Sequence, residues 1–211
     1  MNAPDKGRVV IVEDDRPLRE ALVRLLLEAR YQVEAFGSAE AYLVAAAPED
    51  CHCLLLDVRL PGLSGQALQQ RLNEEDAPRF IVFMTGHGTI PAAVEAIRKG
   101  AVDYLTKPVE EDALFKAVDT ALDHCRMEKA LNADRRAART LLARLTPREN
   151  DVLGLVVSGL PNKAIADQLG IALPTVKIHR GRVMEKMQAD SLVDLVNRAE
   201  QAGFQPDSEN T

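Results

Sequence analysis

A chain of 211 residues, 46% hydrophobic and 27% charged, has room for one large or two modest domains, and this composition excludes disorder over most of the length. Aromatic residues make up only 4% and Trp is absent, which disfavours a carbohydrate or single-strand nucleic-acid stacking platform, and apolar runs such as Cys53–Leu56 fall far short of the roughly 18 residues of a membrane helix. The net charge of −6 hides an asymmetry that points to two functional units: residues 1–123 carry 13 basic and 21 acidic side chains, residues 124–145 carry 6 and 2, residues 146–200 carry 7 and 7, and the end adds only Asp207 and Glu209.

In chain order, Arg8–Val12 is a short β-branched run, followed by helical spacing at Leu18, Leu22, Leu25 and Leu26. Tyr31–Phe36 reads as a strand, and Ser38 as the N-cap of an Ala-rich helix. Cys53–Leu56, Phe80–Met84 and Val102–Thr106 are further buried-type strands, ending at Asp57, at Thr85 and before Lys107-Pro108. Five strands alternating with five helices predict an α/β doubly wound parallel sheet. No Gly or Pro lies between Pro108 and Pro147. There Leu114, Val118, Leu122, Cys125 and Met127 can line one side, and Leu131, Ala138, Leu142 and Leu145 are spaced more widely. The segment reads as a fifth helix running on into a linker helix that self-associates, or as a solvated helix broken near Asn132. Beyond it the pattern is all helical: Thr146, Pro147 and Glu149 form a capping box, Asn162 opens a helix through Leu169, Gly170 breaks it, Pro174 begins another through Met187, and Ser191 caps a last one through Ala199. Two helices joined by a short Gly-containing turn suggest a helix-turn-helix. The expected divisions are 1–124 for the sheet domain, 125–143 for the helical linker, 144–204 for the helical domain and 205–211 for a disordered tail.

Glu13/Asp14, Asp57, Thr85 and Lys107 fall where successive strands end, and the carboxyl ends of strands line the ligand crevice of an open α/β sheet. Three converging carboxylates repel one another, so a hard divalent cation such as Mg²⁺ (or Mn²⁺) is their natural neutraliser. A carboxylate is also a nucleophile toward phosphorus, with Lys107 to pair with phosphoryl charge and the Thr85 hydroxyl to bond a phosphoryl oxygen. Cys51-His52-Cys53 has the look of a metal triplet, but no second ligand pair follows at zinc spacing. Three cysteines argue against a disulfide framework and, with the polar Met1–Gly7, for a reducing cytoplasm. His87, between two glycines, reads as loop geometry.

The motifs Ile11-Val12-Glu13-Asp14-Asp15, Leu55-Leu56-Asp57-Val58-Arg59-Leu60-Pro61-Gly62, Met84-Thr85-Gly86-His87-Gly88 and Tyr104-Leu105-Thr106-Lys107-Pro108 together resemble the receiver domain of two-component response regulators over roughly residues 7–125. The resemblance implies phosphorylation of Asp57 by a sensor histidine kinase, and Mg²⁺ held by Asp14, Asp57 and the Arg59 main-chain carbonyl, with Glu13 acting through water. It also implies that Thr85 and Tyr104 form the switch pair, and that Lys107-Pro108 is a cis site. Glu13 departs from the commoner Asp; its arm is longer but its charge survives.

The segment from Leu145 to Ala199 is similar to the LuxR-type helix-turn-helix, through Gly159-Leu160-Pro161-Asn162-Lys163-Ala164-Ile165-Ala166, Thr175-Val176-Lys177-Ile178-His179-Arg180, Met184-Glu185-Lys186-Met187 and Ser191 to Val196. With the receiver and linker, the whole chain looks like a NarL/FixJ-type regulator of the FixJ subfamily. Val176, Val183 and Met187 share one helical face and should pack inward, while Lys177, Ile178 and Gly181 lie nearer the opposite face, where a recognition helix meets base edges. Thr175, Arg180 and Lys186 suit phosphates, as do Asn162 and Lys163 by resemblance. Gly181 removes a base contact that relatives often have. His179 packs near Val183 or helps a phosphate, and the last helix (Leu192, Leu195, Val196, Ala199) is core or dimer surface. The implied protein is no enzyme beyond self-phosphorylation and slow autodephosphorylation. It is a cytoplasmic regulator, an activator, that dimerises on phosphorylation, binds double-stranded promoter DNA and meets RNA polymerase. Two competing readings are a haloacid-dehalogenase-like phosphatase, whose nucleophile would end the first strand, and a protein-interaction module.

Overall fold

The computed structural model describes residues 6–45, 52–74, 80–86 and 90–205. Its elements run β1 (Arg8–Val12), α1 (Arg16–Glu28), β2 (Gln32–Phe36), α2 (Ala39–Ala45), β3 (Cys53–Asp57), α3 (Gly65–Glu74), β4 (Phe80–Thr85), α4 (Ile90–Arg98), β5 (Asp103–Thr106), α5 (Glu111–Leu142), α6 (Pro147–Val157), α7 (Asn162–Leu169), α8 (Leu173–Lys186) and α9 (Leu192–Gln201). The chain divides into two compact units, Met1–Lys129 and Ala130–Thr211.

In the first unit all strand pairs are parallel and the order is β2-β1-β3-β4-β5, the doubly wound sheet that the sequence predicts. β3 is buried along its whole length, as are Val9–Val12 and Ile81–Thr85, which accounts for their unbroken apolar runs: a parallel sheet is covered on both faces. Alternation divides the core. Val9, Ile11, Leu55 and Val82 pack with Leu22, Leu26, Leu114 and Val118 of α1 and α5. Val10, Val12, Leu54 and Leu56 pack with Tyr42, Leu68 and Leu72 of α2 and α3. The topology reverses between β1 and β3, so the crevice opens beyond the ends of these two central strands.

Local chemistry fixes the helix ends. The Asp15 carboxylate accepts from Leu18 N at 3.1 Å, and the Ser38 hydroxyl accepts from Ala41 N at 3.2 Å. α5 is one helix through Asn132. Leu114, Val118, Leu122 and Cys125 are buried, but Met127 is 64% exposed, a correction to its place in the predicted stripe: at two residues beyond Cys125 it has turned off that face.

In the second unit, Val152, Leu153, Val156, Ile165, Val176, Val183, Met187, Leu195 and Ala199 form one core. The expected capping box is present: Glu149 N donates to Thr146 Oγ1 at 3.3 Å, and Thr146 N donates to Glu149 Oε2 at 2.8 Å. Gly170 ends α7 at φ +63°, a left-handed conformation that a side chain would strain. Ser191 caps α9 by accepting from Asp194 N at 3.1 Å. Among the described residues no helix is long and apolar enough to cross a membrane. The expected tail lies outside the described residues, apart from Gln205.

Candidate functional site

The sheet brings four predicted residues to one crevice. Glu13 directly follows β1, Asp57 ends β3, Thr85 ends β4, and Lys107 directly follows β5. Glu13, Asp57 and Thr85 are buried, while Asp14 is exposed. One carboxylate oxygen from each of Glu13, Asp14 and Asp57 lies within 4.8 Å of the other two. Lys107 Nζ donates to Asp57 Oδ2 at 2.5 Å and to Glu13 Oε2 at 2.7 Å.

Burial pushes the Glu13 carboxyl above its usual range; the Lys107 bond opposes this and the Asp57 charge adds to it. Burial also pulls the Lys107 ammonium down, but its bonds to Asp57 and Glu13 outweigh that and the net shift is upward. One ammonium therefore faces a surplus of negative charge. The donor set fits a hard divalent cation: three carboxylates converge, and one of them, Asp14, stands open to solvent.

The main chain fixes these side chains. Val58 N donates to Met84 O at 3.1 Å, and Lys107 N donates to Thr85 O at 2.7 Å. The Lys107-Pro108 peptide is cis. Arg59 is exposed, and its N–H donates to Asp57 Oδ1 at 2.9 Å. Tyr104 is half-buried, pairs with Phe83 in register, and has its ring centroid 6.1 Å from that of Phe83.

Three residues that the sequence did not single out brace this crevice. Gly65 opens α3 so close to the end of β3 that a Cβ there would stand 2.1 Å from Asp57 O. Glu40 accepts from Leu63 N at 2.8 Å, and that bond holds its carboxyl below the usual range. Gly62 makes room for it, because a Cβ at this φ +75° position would stand 2.5 Å from Glu40 Oε1. Arg19 Nη1 donates to Glu13 O at 2.5 Å and to Asp14 O at 3.2 Å. The Glu40 brace spans 23 residues, and the nearby Gly65 and Arg19 act on main-chain carbonyls, which carry no side-chain signature in the sequence.

Among the described residues no metal set gathers at the cysteine triplet. Cys51 lies outside the described residues, the Tyr42 hydroxyl and His52 Nε2 are 3.2 Å apart, and Cys53 is a buried thiol whose pKa burial raises. His87 also lies outside the described residues.

On α8, Val176, Val183 and Met187 are buried as expected. Lys177, Ile178, Gly181 and Arg182 are exposed, and a Cβ at Gly181 would meet nothing within 4 Å. Arg180 Nη1 donates to Asn162 Oδ1 at 2.7 Å, so these two residues expected at phosphates bind each other across α7 and α8. Lys163 is exposed and Thr175 half-buried. Lys186, expected at a phosphate, has its ammonium 2.6 Å from Glu149 Oε2 and donates to Arg144 O at 3.2 Å. The carboxylate of Glu149 is buried, so this helix-end charge is tied to the fold. The Lys186 bond, followed by the Thr146 N–H, holds the Glu149 carboxyl down to about 2. His179 is half-buried, and its Nδ1 is enclosed without a hydrogen-bond partner.

Residues 9–119 match the family "Response regulator receiver domain", and residues 143–199 match "Bacterial regulatory proteins, luxR family". The chain is 43% identical to Nodulation protein W of Bradyrhizobium diazoefficiens, over 96% of this chain and 89% of that one. It is 39% identical to Transcriptional regulatory protein FixJ of the same organism, over 94% and 97%. Among solved structures it is similar to response regulator StyR, with a TM-score of 0.82 and 41% identity over 92% of this chain and 98% of that one.

Proposed function

This chain belongs to the response regulators that join a receiver domain to a LuxR-family DNA-binding domain, and on that premise we propose that Asp57 accepts a phosphoryl group from a sensor histidine kinase and that α8 then reads promoter DNA. The observation that carries the first half is the buried Asp57 carboxylate, facing Lys107 at 2.5 Å amid the gathered oxygens of Glu13 and Asp14. In the proposed division, residues 1–124 are the receiver, 125–143 the linker and 144–204 the DNA-binding domain.

An Asp57 oxygen forms the O–P bond as the N–P bond of the kinase phosphohistidine breaks, leaving a neutral imidazole once it takes up a proton. Lys107 moves its bond from Asp57 to a phosphoryl oxygen, and the buried Thr85 hydroxyl turns to another. Asp14 and Asp57, with the Arg59 carbonyl by resemblance, would hold Mg²⁺ or Mn²⁺, and Glu13 would act through water. When bound, the cation neutralises charge on the phosphoryl oxygens. Tyr104 follows Thr85 inward as the second half of the switch. Slow hydrolysis of the acyl phosphate is the only other chemistry. On DNA, Lys177, Ile178 and the open surface at Gly181 face base edges, whereas Thr175, Lys163, Asn162 and Arg180 face phosphates. The phosphorylated protein dimerises, engages RNA polymerase and activates transcription in the cytoplasm.

Labelling with radioactive acetyl phosphate tests the acceptor: wild type takes up phosphate with Mg²⁺ present and Asp57→Asn does not. Equal labelling of both proteins would sink the assignment.

A further inference from the structure

We propose that Arg19 is the positioning residue of the metal pocket, its guanidinium fixing the turn that aims the carboxylates of Glu13 and Asp14. The inference rests on the reading of Asp14 and Asp57 as metal ligands with Glu13 acting through water.

Arg19 lies in the first turn of α1, behind the acidic turn rather than inside the crevice. Its Nη1 donates to the carbonyls of both acidic residues, at 2.5 Å to Glu13 O and 3.2 Å to Asp14 O. A Cβ at Gly37 would stand 3.5 Å from the same Nη1, so the guanidinium also lies against the chain just after β2. On the other edge of the turn, Glu13 N donates to Phe36 O at 3.1 Å. Inside it, Asp15 N donates to Glu13 Oε1 at 3.3 Å. The turn is thus held through its N–H by β2 and through its carbonyls by Arg19. Among the described residues Arg19 forms no ion pair, so its donors serve the main chain.

Asp14 makes the brace necessary. It is exposed, so no packing orders it, yet its oxygen must meet those of Glu13 and Asp57. A turn left free would have to be ordered when the cation binds, which weakens binding; a turn ordered in advance avoids that loss. One nitrogen, Nη1, makes both bonds, and the planar guanidinium fixes its direction in a way that a freely rotating lysine ammonium does not.

The effect can be told from electrostatics by its sign. A guanidinium behind an acidic pocket repels a dication, so losing the charge alone would tighten metal binding. Losing the brace would weaken it.

Mn²⁺ affinity of the full chain, read from the electron paramagnetic resonance of free Mn²⁺, separates the two. We expect the dissociation constant to rise about 5-fold in Arg19→Gln and less in Arg19→Lys, as for a lost hydrogen bond plus lost preorganisation. Arg16→Gln removes an equal charge one turn away, at a side chain bonded only to Glu20, and leaves affinity unchanged or tighter. An Arg19→Gln protein that binds Mn²⁺ as well as wild type, or better, overturns the proposal. So does a lowered melting temperature without metal together with unchanged affinity, which would mean a merely structural role. Asp14→Asn keeps the two failures distinct. If it loses Mn²⁺ binding, the pocket stands whatever Arg19 does; if wild type binds none, the pocket reading itself falls and takes Arg19 with it.

Discussion

At the residue scale, the placement of Asp57, the proposed phosphoacceptor, depends on the side chain that Gly65 lacks. A Cβ at Gly65 would stand 2.1 Å from Asp57 O, and the obstacle is main chain rather than the movable end of a side chain. Gly65→Ala must therefore part β3 from α3 at Asp57. We expect it to cost about 2 kcal/mol, typical of overpacking, and to cut acetyl-phosphate labelling about 10-fold. Gly86→Ala, with nothing within 4 Å of its added Cβ, labels like wild type and serves as the comparison. Equal labelling of the two variants would show that the junction yields without disturbing Asp57. The crevice was legible in the sequence where an acid or a lysine ends an apolar run, as with Glu13, Asp57 and Lys107. Gly65, Glu40 and Arg19 were not legible, because each acts through main-chain atoms, which leave no mark in the sequence.

At the element scale, one buried carboxylate ties the start of α6 to the end of α8 beside their shared apolar core. Glu149 closes its own capping box and also pairs with Lys186 at the far end of α8. The sequence shows the box, since Thr146, Pro147 and Glu149 are contiguous, but not the ion pair, which spans 37 residues. The basic pattern of α8 therefore assigned Lys186 to DNA for want of any visible partner. Glu149 has its folded pKa lowered to about 2 from an ordinary 4.5. Its stabilising contribution is thus fully present above about pH 4.5 and is lost as the pH falls through about 2. The shift corresponds to at most about 3 kcal/mol, and to roughly 2 once solvent at the one-third-exposed Lys186 is allowed for. Calorimetry should find the helical unit of Glu149→Gln destabilised by about 2 kcal/mol at pH 7, a gap that closes between pH 4.5 and 2. A gap that stays constant with pH would assign the loss to the capping geometry alone.

At the scale of the whole molecule, the charge map sets a problem for DNA binding. The protein is a net anion of −6, most acidic over residues 1–123, and its target is a polyanion. Phosphorylation of Asp57 would replace one carboxylate charge with a phosphoryl group of about −1.5 to −2, a net change of about −0.5 to −1, so by charge alone it would weaken DNA binding. The attraction must come from the few exposed cations near α8, chiefly Lys163, Lys177 and Arg182. Each phosphate neutralised contributes about −0.9 to the slope of log K against log salt, so one copy offers a slope of about −3. Two copies on paired half-sites offer about −6 in a single binding event. We therefore expect beryllofluoride with Mg²⁺ to double the molar mass in light scattering and to double the salt slope on a promoter fragment. Asp57→Asn should show neither change, and Lys177→Ala should lower both affinity and slope. A gain in affinity at constant slope and constant mass would replace pairing with the uncovering of a surface already formed, because exposing the same cations adds binding-competent molecules without adding phosphate contacts to each.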